Sequence, residues 1–131
     1  MNFTLVMKSV FIVGSRKFYD EIEKLVQQLK DNNIKVATAG EWNNKQKDTL
    51  ESEKTALLNA FQKIDRLDIC YIYSKDGYIG KTVAMEIAYA YSRKKELISS
   101  YQIEEFSAQA LISKIMDSGE LIRHCKKISS Y

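Results

Sequence analysis

The segment Ser74-Lys75-Asp76-Gly77-Tyr78-Ile79-Gly80-Lys81-Thr82-Val83-Ala84-Met85-Glu86-Ile87-Ala88-Tyr89-Ala90 joins a turn with two glycines to a helix-forming run that holds a single carboxylate, Glu86. It follows Leu67 to Tyr73, an apolar run that reads as a buried strand. A strand, a glycine-bearing turn and a helix N-terminus in succession make a small-molecule site in an open α/β sheet. Ala84, Met85, Ile87, Ala88 and Ala90 surround the acid with small and apolar groups. Glu86 is then either an ordinary helical glutamate paired with Lys81 or Arg93, or a partly desolvated group whose pKa is raised unless donors satisfy it.

Outward from this segment the pattern repeats. Strands are expected at 9–13, 34–38, 67–73 and 96–99. Helical spacing runs over 18–31, with Ile22, Leu25, Val26 and Leu29 inward, and over 50–64, with Leu57, Leu58, Phe61 and Ile64 inward. A helix is expected over 80–93. Another is expected over 103–116, with Phe106, Ala110, Leu111 and Ile115 on one side, and a last helical segment includes Leu121 and Ile122. Residues 40–47 are polar and read as an exposed loop. Alternating strands and helices imply a parallel sheet with right-handed crossovers. Ligands sit at the C-terminal ends of such strands. The loops Gly14-Ser15-Arg16 and 76–80 should therefore meet there.

The 131 residues suit one domain spanning the chain, with no linker or repeat; 45% are hydrophobic and 28% charged. The net charge of +3 is dispersed. Its densest groups, Arg93-Lys94-Lys95 and Lys126-Lys127, read as helix C-terminal charges rather than a nucleic-acid patch. Cys70 reads as a core thiol, Cys125 is the other cysteine, and His124 is the single histidine, so neither a metal site nor a disulfide framework is expected. That usage fits a reducing cytoplasm. The apolar N-terminal run is too short to span a bilayer and has no leader pattern.

Gly80-Lys81-Thr82 invites a phosphate-loop reading, but position 75, where the first glycine of that pattern belongs, is lysine. The turn can still hold a phosphate or sugar through backbone N–H groups. Gly14, Ser15 and Arg16 supply a glycine, a hydroxyl and a guanidinium for an anion cradle. Equally, Gly14 ends a strand, Ser15 caps a helix and Arg16 is solvated.

The run Gly-Tyr-Ile-Gly-Lys-Thr-Val-Ala-Met-Glu-Ile-Ala-Tyr-Ala, 77–90, resembles the signature of nucleoside 2-deoxyribosyltransferase-like proteins, with Gly14-Ser15 in the first loop and Lys63 to Ile69 leading into the strand. The similarity covers about residues 8 to 99. It implies an α/β three-layer flavodoxin/Rossmann-like fold with a parallel sheet of four to five strands, a homodimer or higher homo-oligomer, and no cofactor. It also implies Glu86 as the nucleophile, attacking the anomeric carbon of a (deoxy)ribosyl group. Gly14, Ser15, Arg16, Asp76, Gly77, Tyr78 and Gly80 would line the sugar or 5′-phosphate side, and Arg16 favours a phosphorylated substrate. Two departures stand out: Ala60 and Gly80 occupy positions where the family places acids. Tyr131 would, by the same resemblance, be a candidate to complete a neighbour's site.

Two alternatives accompany this reading. Residues 13–20 also resemble the first loop of nucleotide-binding Rossmannoid proteins, which suggests a nucleotide-binding or sensing module without turnover. A structural partner domain is the third. Tyr89 and Tyr91 are the tyrosines expected to serve a helix–helix interface.

Overall fold

A computed structural model describes residues 7–39 and 49–127. The expected loop at 40–47 and Tyr131 lie outside the described residues. The elements are β1 (Val10–Gly14), a 3-10 turn (Arg16–Phe18), α1 (Tyr19–Asp31), β2 (Val36–Thr38), α2 (Leu50–Arg66) and β3 (Ile69–Tyr73). They continue with α3 (Lys81–Ser92), β4 (Glu96–Ser99), α4 (Phe106–Leu111), β5 (Lys114–Ile115) and α5 (Ser118–Cys125).

The five strands pair in parallel in the order β2-β1-β3-β4-β5. This is the flavodoxin-like order, whose switch point lies between β1 and β3. Alternation along the strands divides the core into two layers. Phe11, Val13, Cys70, Ile72 and Leu97 pack with Ala60, Ile64, Val83, Ile87 and Ala90 of α2 and α3. Val10, Ile12, Ile69, Tyr71 and Ile98 pack on the other face with Ile22, Leu25 and Leu29 of α1 and Leu121 of α5. No helix among the described residues is long and apolar enough to cross a membrane.

Polar pins set the register at both ends of the sheet. Before the strands, Ser9 donates from its N–H and hydroxyl to Asp68 Oδ2 at 2.8 and 3.0 Å, and the Asp68 N–H returns to Ser9 Oγ at 3.1 Å. After the strands, the Ser74 N–H donates to Ser100 Oγ, which donates back to the Ser74 carbonyl, both at 2.8 Å.

Several local expectations are corrected. The spacing over 103–116 is two elements, because Ile112 turns extended and Lys114 and Ile115 pair with Ile98 and Ser99. Phe106 is 87% exposed, so it faces away from the core. Leu58 is 48% exposed, because Ala60 and Ile64 take the buried stripe of α2. Tyr89 is occupied within the chain. Its ring stacks on Phe61 at 4.0 Å and its hydroxyl donates to Asp65 at 2.8 Å.

The turn before α3 separates its two glycines. Gly77 has φ +89°, and a Cβ there would lie 2.7 Å from the Gln102 carbonyl oxygen. Gly80 has φ −83° at the N-cap of α3, and a Cβ there would meet nothing within 4 Å. Gly77→Ala should therefore destabilise the protein by about 1–3 kcal/mol. Gly80→Ser should be neutral or stabilising, since serine is a good N-cap. Urea denaturation midpoints check this, and a wild-type midpoint for Gly77→Ala would show that the turn tolerates a side chain.

Candidate active site

Face-on, β1 ends between α2 and α3, and a cavity of about 380 Å³ opens there. Three segments supply most of its described lining, with Ala39 after β2 beside them. The first is the end of β1 with its loop, Gly14, Ser15 and Arg16. Gly14 is required by close approach, since a Cβ would lie 2.8 Å from Ile22 Cδ1 and 3.0 Å from the Tyr73 carbonyl oxygen. Ser15 is the N-cap of the 3-10 turn, its Oγ accepting from the Lys17 N–H at 3.4 Å. The second is one face of α2, with Glu53, Ala56, Leu57 and Ala60 at helical spacing. The third is the first two turns of α3, Gly80 to Val83 and Glu86.

Glu86 is 4% exposed. It makes no hydrogen bond or ion pair with another described residue. Neither of the two cations expected from the sequence, Lys81 and Arg93, pairs with it. Arg93 donates to Asp65 at 2.8 Å, and Lys81 lines the cavity as an exposed side chain with no ion pair to Glu86. Burial therefore pushes the Glu86 carboxyl up from 4.5 to about 7. Close by in β3, burial, with Glu86 adding, pushes the Cys70 thiol well above its ordinary range, so that thiol is inert.

Gly14, Ser15, Arg16, Gly80 and Glu86 thus face one cavity. Asp76, Gly77 and Tyr78 do not line it. Asp76, at φ 60°, and Gly77 form the turn itself, and the Gly77 carbonyl accepts from the Glu104 N–H at 3.0 Å. Gly77 and Tyr78 border a smaller hollow of about 220 Å³ with Lys81, Ala84, Glu104 and Glu105. Tyr78 bridges the two loops, with Lys17 Nζ 3.8 Å from its ring centre and Phe18 edge-on at 6.3 Å.

Glu53 and Ala56 were missed by sequence reasoning. Their signal is the Glu53-Ala56-Leu57-Ala60 stripe, in which small residues at 56 and 60 replace the large ones a packed helix face needs. Glu53 Oε1 lies 4.0 Å from Arg16 Nη2, so the guanidinium already faces an anion. Ala60, where the resemblance expects an acid, is buried in the cavity wall. No group of three metal-ligating side chains occurs among the described residues. The arrangement supplies one desolvated carboxyl, hydroxyls from Ser15 and Thr82, cations at the rim and the free N–H groups of a helix N-terminus.

No family model and no curated protein matches the sequence. Solved structures do match it in shape. The 2-deoxyribosyltransferase from the psychrotolerant bacterium Bacillus psychrosaccharolyticus superposes with a TM-score of 0.68 at 17% identity, covering 94% of this chain and 98% of its own. A conserved protein from Enterococcus faecalis V583 gives 0.66 at 15%, covering 92% and 98%. The CMP N-glycosidase of Clostridium botulinum gives 0.54 at 14%, covering 89% and 97%. With the parallel β2-β1-β3-β4-β5 sheet, these likenesses establish that the chain has a nucleoside 2-deoxyribosyltransferase-like fold.

Proposed function

We propose that this protein cleaves or transfers the N-glycosidic bond of a nucleoside or nucleoside 5′-monophosphate, with Glu86 as the nucleophile. The observation that carries the reading is an unpartnered, 4% exposed carboxyl opening into a cavity of about 380 Å³ at the switch point of the sheet. That volume lies in the roughly 300–1,000 Å³ range of small-ligand sites. Further support comes from the fold shared with a 2-deoxyribosyltransferase and a CMP N-glycosidase.

A Glu86 carboxylate oxygen attacks the anomeric carbon as the bond to the base breaks. The bonding electron pair leaves on the base nitrogen, which takes a proton from solvent. The oxocarbenium-like transition state is stabilised by the adjacent negative charge. Water, or the ring nitrogen of a second base, then attacks the same carbon, releases Glu86 and gives up a proton. Ser15, Thr82 and the α3 N-terminus orient the sugar. One observation favours a second reading, a nucleotide-binding module without turnover: Ala60 and Gly80 bring no acid to the two lining positions where the resemblance expects one.

Free base released from a panel of nucleosides and their 5′-monophosphates, followed by chromatography, tests the chemistry. Glu86→Gln should lower kcat by at least about a thousandfold. The wild-type rate should rise with pH through about 7, because attack needs the ionised form. A wild-type protein that binds these compounds but releases no base would favour the module.

Stability gives an independent check on the buried carboxyl. The unfolded chain ionises Glu86 near 4.5 and the folded chain near 7. The contribution of Glu86 to stability should therefore fall as pH rises through that window, so that wild-type stability relative to Glu86→Gln drops by roughly 3 kcal/mol between pH 4 and pH 8. Subtracting the variant removes the opposite contribution of Glu96, whose carboxyl is held down to about 2. A difference between the two that stays constant with pH in chemical denaturation would mean that Glu86 titrates normally.

A further inference from the structure

We propose that Glu53 makes the cavity selective for nucleosides with an uncharged 5′ end, by holding a carboxylate against Arg16 at the rim. The inference rests on the reading of the cavity as a nucleoside site. It narrows the substrate class that Arg16 alone, seen in the sequence, would have left phosphorylated.

Glu53 is held in place by its helix. The start of α2 is fixed by a reciprocal cap, in which Thr49 Oγ1 accepts from the Ser52 N–H and Ser52 Oγ accepts from the Thr49 N–H, both at 3.0 Å. The Glu53 N–H closes the first turn on the Thr49 carbonyl at 3.0 Å. The side chain then stands over the β1 loop, with Oε1 4.0 Å from Arg16 Nη2. Both side chains are about half exposed, at 48% and 58%. An ion pair this exposed adds little to stability, so its consequence lies in what it does to the cavity.

Among the described residues, the ionisable groups lining that cavity are Arg16 and Lys81 against Glu53 and Glu86. A phosphate dianion seeking Arg16 must displace Glu53 and then remain near its charge, because the carboxylate is tethered within reach. At a separation of about 6 Å in water-like surroundings, that repulsion amounts to about tenfold in affinity. A 5′-hydroxyl meets no such penalty. It donates to the carboxylate while Arg16 stays paired. Charge, rather than size, then separates the two substrate classes.

Calorimetric titration in a Glu86→Gln background removes turnover from the measurement. The common 2′-deoxynucleosides, their 5′-monophosphates and inorganic phosphate are titrated with Glu53 present and with Glu53→Gln, at low and high salt. Glu53→Gln should tighten monophosphates relative to nucleosides by about tenfold at low salt, with a smaller difference at high salt. A purely structural role would shift both ligand classes together and show no salt dependence. A ratio that changes by less than about twofold overturns the proposal, and leaves the glycosyl chemistry standing if the wild type releases base. Failure of every nucleoside and nucleotide to bind overturns both.

Discussion

Helices α2 and α3 are clamped together at their C-terminal ends, and the cavity exists because they are not clamped at their N-terminal ends. Phe61 and Tyr89 stack at 4.0 Å, and Asp65 receives Tyr89 and Arg93. The Tyr89 hydroxyl, with Arg93 behind it, holds the Asp65 carboxyl below its usual range. Toward the other end, Ala56 faces Thr82 and Glu86 across open space, with the core residues Ala60 and Val83 in its wall. Small side chains on one helix and a cap without a side chain on the other leave that space unfilled. The end of β1 lies beneath it, so the first loop becomes the third wall.

Two glutamates in this chain show how partners decide the fate of a desolvated carboxyl. Burial raises both. Glu96, at the opposite end of the sheet, is met by His124 Nε2 at 2.9 Å, Lys114 at 3.1 Å and Lys8 at 3.2 Å, and these donors bring it down to about 2. It serves as a strut joining β4, β5 and α5. Glu86 meets no donor among the described residues and goes up to about 7. A carboxyl kept dry and unpaired lowers stability at neutral pH, which a purely structural position does not explain. The opening of the cavity onto it gives that cost a chemical use.

Much of the architecture was legible along the chain. The apolar runs at Ser9 to Val13 and Leu67 to Tyr73 read as buried strands because parallel strands covered on both faces need continuous hydrophobic residues, and the strands form at Val10–Gly14 and Ile69–Tyr73. The helix from Lys81 read correctly because Gly80 and the preceding turn mark its start. The segment after Ile103 failed for a physical reason. Apolar residues at helical spacing continue through Leu111 into Ile115, while Ile112 is extended and edge pairing with β4 claims the last two residues. At the site, Glu86 was visible as an acid in an apolar helix, and the cluster of Gly14, Ser15 and Arg16 as loop chemistry. Asp76, Gly77 and Tyr78 were placed with them by the resemblance, yet the left-handed turn at Asp76 and Gly77 brings that loop against Gln102 and Glu104.

The sequence by itself determined the alternation of strands and helices, the two apolar faces of the sheet and the isolation of one carboxylate within a helix, because these follow from periods of two and 3.6 residues that act locally. Tertiary structure alone decided that Arg93 turns to Asp65 and leaves Glu86 without a partner among the described residues, that Glu53 stands against Arg16, and that Ala56 borders a cavity where the neighbouring Ala60 still packs in the core. Each of these depends on the register of β1 against β3 and on the one-ended clamp between α2 and α3. Those are distances between residues far apart in the chain, and no local pattern encodes them.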